Sequence, residues 1–163
     1  MAKKTSTPAW LTTFLLRVAG GTNYRKLVKA SKNPQQASEA TLRSILTYGQ
    51  DTEFGKEHDF DYILAAKDDK ELYKRYAEKI APSDYEDYRP YIERHKNGDS
   101  NVLVPGKPVM YATTSGTTNE PKWIPITDVY LKNVYGKMTK VWLYNYSMNR
   151  PKAFYGKLVT IVS

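Results

Sequence analysis

The segment Thr113–Thr127, TTSGTTNEPKWIPIT, gathers five hydroxyl side chains and one glycine into residues 113–118, followed by Asn119, Pro121 and Lys122. These are the parts of an anion site. A residue without a side chain, Gly116, lets backbone amides approach phosphate oxygens, and the hydroxyls of Thr114, Ser115, Thr117 and Thr118 add donors. Lys122 supplies a point charge, and hydrogen bonds carrying such a charge are roughly twice as strong as neutral ones. A loop that leaves a strand can also fold its amides into a concave nest for an anion. The plainer alternative is a hydroxyl-rich turn between two strands.

Counting removes one version of the anion site. The Walker loop is G-x-x-x-x-G-K-[ST]. Starting at Gly116, it needs glycine at 121 and a hydroxyl residue at 123, where the chain has Pro121 and Trp123. Only Lys122 fits. No other cluster competes for chemistry. The 163 residues include no cysteine and only two histidines, which leaves no thiolate chemistry, no disulfide and no conventional zinc site. His58 reads as a surface or helix-capping residue. His95 falls near a helix end, where a cation would complement the dipole. The acidic trio Asp84, Glu86 and Asp87 is explained by a first helical turn.

The formal charge of +8 favours anionic ligands. The basic residues are dispersed, however, without the block expected of a nucleic-acid surface. No apolar run reaches a membrane-spanning length. Near the start Arg17 interrupts the apolar stretch and no A-x-A-like cleavage site follows, so the expectation is a cytoplasmic protein.

The elements that must hold the loop follow from periodicity. Residues 1–100 read as mainly helical. Thr7-Pro8 looks like a helix start, and Trp10, Leu11, Phe14, Leu15 and Val18 recur at helical spacing until Gly20-Gly21, read as a stop. Asn23 is expected to cap a short second helix. Asn33-Pro34 opens a third helix, with Leu42, Ile45 and Leu46 in its stripe and Gly49 as its end. In 51–60, Phe54 and Phe60 are expected anchors of a turn-rich link. Another helix spans 70–79 with Leu72, Tyr73 and Tyr76 in register. Ser83 and Glu86 match a capping box. The helix behind them buries Tyr85, Tyr88, Tyr91 and Ile92, is kinked or restarted by Pro90 and closes at Asn97-Gly98.

Residues 101–163 change grammar. A strand over 109–114, the loop, a short extended run and a long helix from Thr127-Asp128 lead to a continuous apolar strand, GKLVTIVS. Leu131, Val134, Met138 and Val141 mark that helix. Trp123, Trp142, Tyr130 and Tyr135 read as packing or core residues, and Trp123 can also border a nucleotide. Strand, helix, strand predicts an α/β fold: a helical amino-terminal region leading into the first strands of a larger, mostly parallel sheet. Because the chain stops inside a strand of buried type, an amino-terminal piece of a longer protein is expected.

The stretch Thr114–Lys122, TSGTTNEPK, resembles the Ser/Thr/Gly-rich loop of the acyl-adenylate-forming enzymes, usually TSGTTG-x-PK. With WIPIT behind it and the upstream segments DTEFGKEHDF and DYEDYRPYIERHKNGDSNVLVPG, the chain is similar to the auxin-responsive Gretchen Hagen family of acyl-acid amido synthetases, and to its bacterial members in particular, from about Gln35 onward. The resemblance implies a ligase using ATP and Mg2+. A carboxylic acid is activated as an acyl-adenylate, and an amine or amino acid then takes the acyl group. It also implies that Ser115, Gly116, Thr117, Thr118, Asn119 and Lys122 contact the ATP phosphates, while Thr114 shapes the end of the strand. No catalytic residue and no metal ligand of this chain is implied. Asn119 departs from the family's glycine, and asparagine is among the side chains most tolerant of a left-handed backbone. In that family the nucleoside contacts, the acyl pocket and the carboxy-terminal lid lie downstream. The missing carboxy-terminal part of the same protein is therefore an expected partner. The alternative is a non-catalytic remnant or interaction module that keeps a phosphate loop.

Overall fold

The computed structural model describes residues 8–114 and 120–155. In chain order the elements are α1 (Ala9–Ser31), α2 (Pro34–Gly49), α3 (Glu53–Glu57), α4 (Phe60–Leu64), α5 (Asp69–Lys79), α6 (Tyr85–Lys96), β1 (Met110–Thr113), β2 (Trp123–Ile126), α7 (Asp128–Tyr130), a π-helical turn (Leu131–Tyr135), α8 (Gly136–Asn149) and a 3-10 turn (Pro151–Tyr155). They fall into two compact units, residues 33–130 and the remainder.

In the unit formed by the two ends of the chain, α1 packs on α8. Here Gly20-Gly21 does not stop a helix: α1 runs through both, and Asn23 caps nothing. The physical reason is close approach. A Cβ at Gly20 would lie 2.5 Å from the Tyr144 Cβ and closer still to the Lys140 carbonyl oxygen. Thr13, Arg17, Gly20 and Tyr24 share one line of α1 at helical spacing. Arg17 donates to the Ser147 carbonyl at 3.0 Å, and the Tyr24 and Tyr144 rings stand 4.9 Å apart. The packed line is thus mostly polar, with a glycine where the helices come closest. Trp10, Phe14, Leu15 and Val18, whose spacing predicted the helix, remain more than half exposed.

The same choice of line corrects the aromatic residues of α8. Lys140, Tyr144 and Ser147 face α1, so Trp142 lies off the contact, exposed and stacked on Tyr146 at 5.7 Å. Tyr130 and Tyr135, expected in the core, are exposed as well, as is Met138. Val141 is buried. We expect Gly20→Ala to destabilise this unit by about 1–3 kcal/mol, the usual cost of overpacking a close contact. Thermal unfolding of the variant checks it, and an unchanged melting temperature would contradict the contact.

Residues 33–130 hold the other core. Asn33 accepts from the Gln36 amide at 3.3 Å to start α2, which ends at Gly49 as its composition predicts. Leu46, Phe60, Ile63, Ala66 and Leu72 form the buried cluster, with Leu42, Phe54, Tyr76 and Ile80 packed around it. Phe54 and Phe60 are anchors, as expected, but on two short helices instead of a link. Ile45 and Tyr73, placed in register by spacing, face outward. Arg43 closes α4 by donating to the carbonyls of Leu64 at 3.2 Å and Ala66 at 3.1 Å.

The capping box of α6 sits one residue later than expected. Asp84 accepts from the Glu86 amide at 2.7 Å, and Asp87 accepts from the Asp84 amide at 2.8 Å. Two boxes overlap in SDYED, and the carboxylate pair takes the helix start. Ser83 bonds the Tyr88 hydroxyl instead, at 2.7 Å. The helix continues through Pro90 to Lys96, and Gly98 turns the chain with a φ of +107°. The sheet among the described residues is an antiparallel hairpin of β1 and β2. The strand expected over 156–163, on which a parallel sheet depends, lies outside them.

Candidate functional site

The hairpin carries the loop. Thr113 pairs with Trp123 and Met110 with Ile126, so β1 ends and β2 begins at the same level. One step further out, the Thr114 amide donates to the Lys122 carbonyl at 3.1 Å, and the Lys122 amide donates to the Thr114 hydroxyl at 3.2 Å. Thr114 and Lys122 therefore close the mouth of the loop, which is the shaping role expected of Thr114. Ser115, Gly116, Thr117, Thr118 and Asn119 lie outside the described residues. Of the expected phosphate contacts, Lys122 is the described one, exposed beside the loop.

Helix α6 fixes the outer edge of β2. The Tyr85 hydroxyl accepts from the Trp123 amide at 2.6 Å and donates to the Trp123 carbonyl at 3.2 Å. Its ring has the Arg89 guanidinium 4.9 Å from the centroid and the Lys122 ammonium at 5.4 Å. Arg89 is held by both oxygens of Glu86, at 2.6 and 2.9 Å, and reaches Glu120 at 3.5 Å. The hydrogen bonds from Arg89 keep the Glu86 carboxyl below its ordinary range, with the charge of Lys122 adding to the effect. Trp123 is half-buried, with Lys96 4.5 Å above its ring and Tyr111 edge-on at 6.2 Å. The loop base thus carries two cations, Arg89 and Lys122, around one tyrosine. Tyr85, Arg89 and Glu120 were not singled out for the site from sequence. Nothing in the spacing of α6 links it to a loop more than thirty residues on.

His95 corrects another expectation. It lies in the last turn of α6, as expected, but it is buried and its ring serves as a hydrogen-bonding link. Its Nδ1 meets the Asp99 carbonyl at 3.1 Å, and Nε2 accepts from the amides of Leu103 at 3.0 Å and Val104 at 3.2 Å. Two amides donating to Nε2 and a carbonyl facing Nδ1 define a neutral ring with its proton on Nδ1, and burial lowers its pKa in the same sense. It holds the segment leading into β1 against α6. His58 is a helix-capping residue as expected, following α3 with Nδ1 2.9 Å from the Phe54 carbonyl. Among the described residues no group of three or more His, Asp or Glu side chains can hold a metal ion, and no helix is long and apolar enough to cross a membrane.

Comparison with known proteins tests the family resemblance read from the sequence. Residues 23–163 match the GH3 family N-terminal domain, and the chain belongs to the GH3 family. Over 118 residues it is 33% identical to the indole-3-acetic acid-amido synthetase GH3.2 of Arabidopsis thaliana, covering 67% of this chain and 20% of that protein. A probable indole-3-acetic acid-amido synthetase of rice, GH3.13, is 36% identical over 52% of this chain and 17% of its own length. The rice jasmonoyl–L-amino acid synthetase GH3.5 is 30% identical over 63% and 17%. The matches thus span about a fifth of the length of these relatives. No solved structure matches the chain.

Proposed function

We propose that this chain supplies the ATP phosphate loop of an acyl-acid amido synthetase. The protein would activate a carboxylic acid as its adenylate and pass the acyl group to an amine or amino acid. The observation that carries the proposal is the loop mouth: Thr114 and Lys122 close it on each other, with the Lys122 ammonium beside it, in a chain of the GH3 family.

In this reading Ser115, Gly116, Thr117, Thr118, Asn119 and Lys122 hold the β- and γ-phosphates while charge develops on departing pyrophosphate, where positioning and electrostatics supply most of the catalysis. Mg2+ would arrive with the nucleotide. There it would supply positive charge to the phosphates while keeping several of its own waters. The nucleoside contacts, the acyl pocket and the remaining strands of a mostly parallel sheet belong, we infer, to the carboxy-terminal part of the same protein, working in the cytoplasm. The acids named for the relatives differ, so the acyl specificity is assigned to that part and not to this chain.

The test is product analysis with the full-length protein. ATP should yield AMP and pyrophosphate, in step with amide, only when both an acid and an amino acid are present. Release of ADP and phosphate would overturn the proposal. Tripolyphosphate binding without any acid-dependent AMP would favour the alternative, a module that keeps the loop without the reaction.

A further inference from the structure

We propose that Tyr85 is the positioning residue of the phosphate loop, setting Lys122 and the descending arm of the loop through the backbone of Trp123. The inference rests on the loop being the phosphate site. Three observations lead to it. Trp123 begins β2, and its amide and carbonyl both point to the edge of the hairpin that Thr113 does not cover. Among the described residues Tyr85 satisfies the two, with one hydroxyl acting as acceptor at 2.6 Å and donor at 3.2 Å. Tyr85 is itself fixed, because it is the first residue of α6 and the Asp84–Asp87 box locks that turn.

The neighbouring contacts point the same way. Arg89, four residues along the same face of α6, reaches Glu120 on the same arm of the loop at 3.5 Å. The Lys122 ammonium lies over the Tyr85 ring at 5.4 Å, a distance at which the negative face of the ring attracts a cation. The helix therefore grips the loop arm on both sides of Lys122, at Glu120 and at Trp123. An anion loop works by having its donors in place before the ligand arrives, and mobility at its base is lost affinity. Tyr85 touches no reacting atom. Its effect passes through the Trp123 peptide and the ammonium of Lys122.

The experiment compares Tyr85→Phe with Tyr88→Phe in the same chain. Both variants delete one phenolic hydroxyl from α6, but the described hydrogen-bond partner of the Tyr88 hydroxyl is Ser83 and its ring packs on Phe54, with no described contact to the loop. Binding of inorganic tripolyphosphate is titrated, and amide hydrogen exchange is followed at Trp123. Loss of one half-buried, doubly used hydroxyl predicts about tenfold weaker tripolyphosphate binding and about tenfold faster exchange at Trp123 in Tyr85→Phe. Tyr88→Phe should behave as the unmodified protein in both. Unmodified affinity in Tyr85→Phe overturns the inference, and if exchange is nevertheless faster, Tyr85 is a structural support only. Equal weakening in both variants overturns it too, since the effect is then one of helix stability. Failure of the unmodified protein to bind tripolyphosphate overturns the phosphate-loop reading itself and removes the role with it.

Discussion

Replacing Lys122 by alanine is expected to lower ATP–pyrophosphate exchange of the full-length protein by about a hundredfold or more while leaving the fold intact. The size follows from removing one preorganised charge at a site where negative charge develops, which typically costs 10²–10³ in rate, about 3–4 kcal/mol. The intact fold follows from the way Lys122 is held. Its two short-range bonds, to the Thr114 amide and hydroxyl, are made by its backbone, which alanine keeps. Its side chain is exposed, with the Tyr85 ring as its described partner, and exposed substitutions usually stay within about 0.5 kcal/mol. Lys122→Arg keeps the charge but not the compact ammonium, so partial activity is expected. Exchange kinetics with a parallel melting curve measure both effects. Full exchange in the alanine variant would remove Lys122 from the phosphate site.

The second large effect is on stability. His95→Ala should cost about 2–4 kcal/mol, because it strands the Leu103 and Val104 amides, both of which use Nε2 as acceptor, and empties a buried position. The residue also makes stability depend on pH in a definite direction. Burial lowers its folded pKa below the ordinary histidine value near 6.5. Between the two values the unfolded chain binds the proton and the folded chain does not. Stability is therefore full above about 6.5 and falls as the pH drops toward the lowered value. Denaturant unfolding at a series of pH values should show that acid limb, flattened in His95→Gln. An identical limb in the glutamine variant would assign the proton uptake elsewhere.

What sequence can show and what it cannot divide along physical lines. Local rules read well. Asn33 caps α2, Phe54 and Phe60 anchor the core, Asn97-Gly98 closes α6, and Thr127 starts a helix by accepting from the Tyr130 amide at 3.1 Å. Where two local rules compete, the outcome is set by chemistry that spacing does not rank: Ser83 with Glu86 and Asp84 with Asp87 both fit a capping box, and the carboxylates take it. Long-range facts were hidden. A glycine pair reads as a helix stop until a neighbouring helix is known to need the room at Gly20. His95 reads as a dipole partner until two amides 8 and 9 residues away are seen to need an acceptor. The loop was visible as a motif, TSGTTNEPK, because its chemistry is contiguous. Its brace was not, since Tyr85 and Trp123 are 38 positions apart.

Whether Ser115–Asn119 and Lys122 take the phosphates of ATP can be read residue by residue. Backbone amide resonances of the isotopically labelled chain would be followed while ATP, tripolyphosphate or AMP is added. The account predicts that ATP and tripolyphosphate shift the amides of Ser115, Gly116, Thr117, Thr118 and Asn119 together with that of Lys122, and that AMP at the same concentration leaves them in place. Shifts confined to other parts of the chain, or an equal response to AMP, would contradict it.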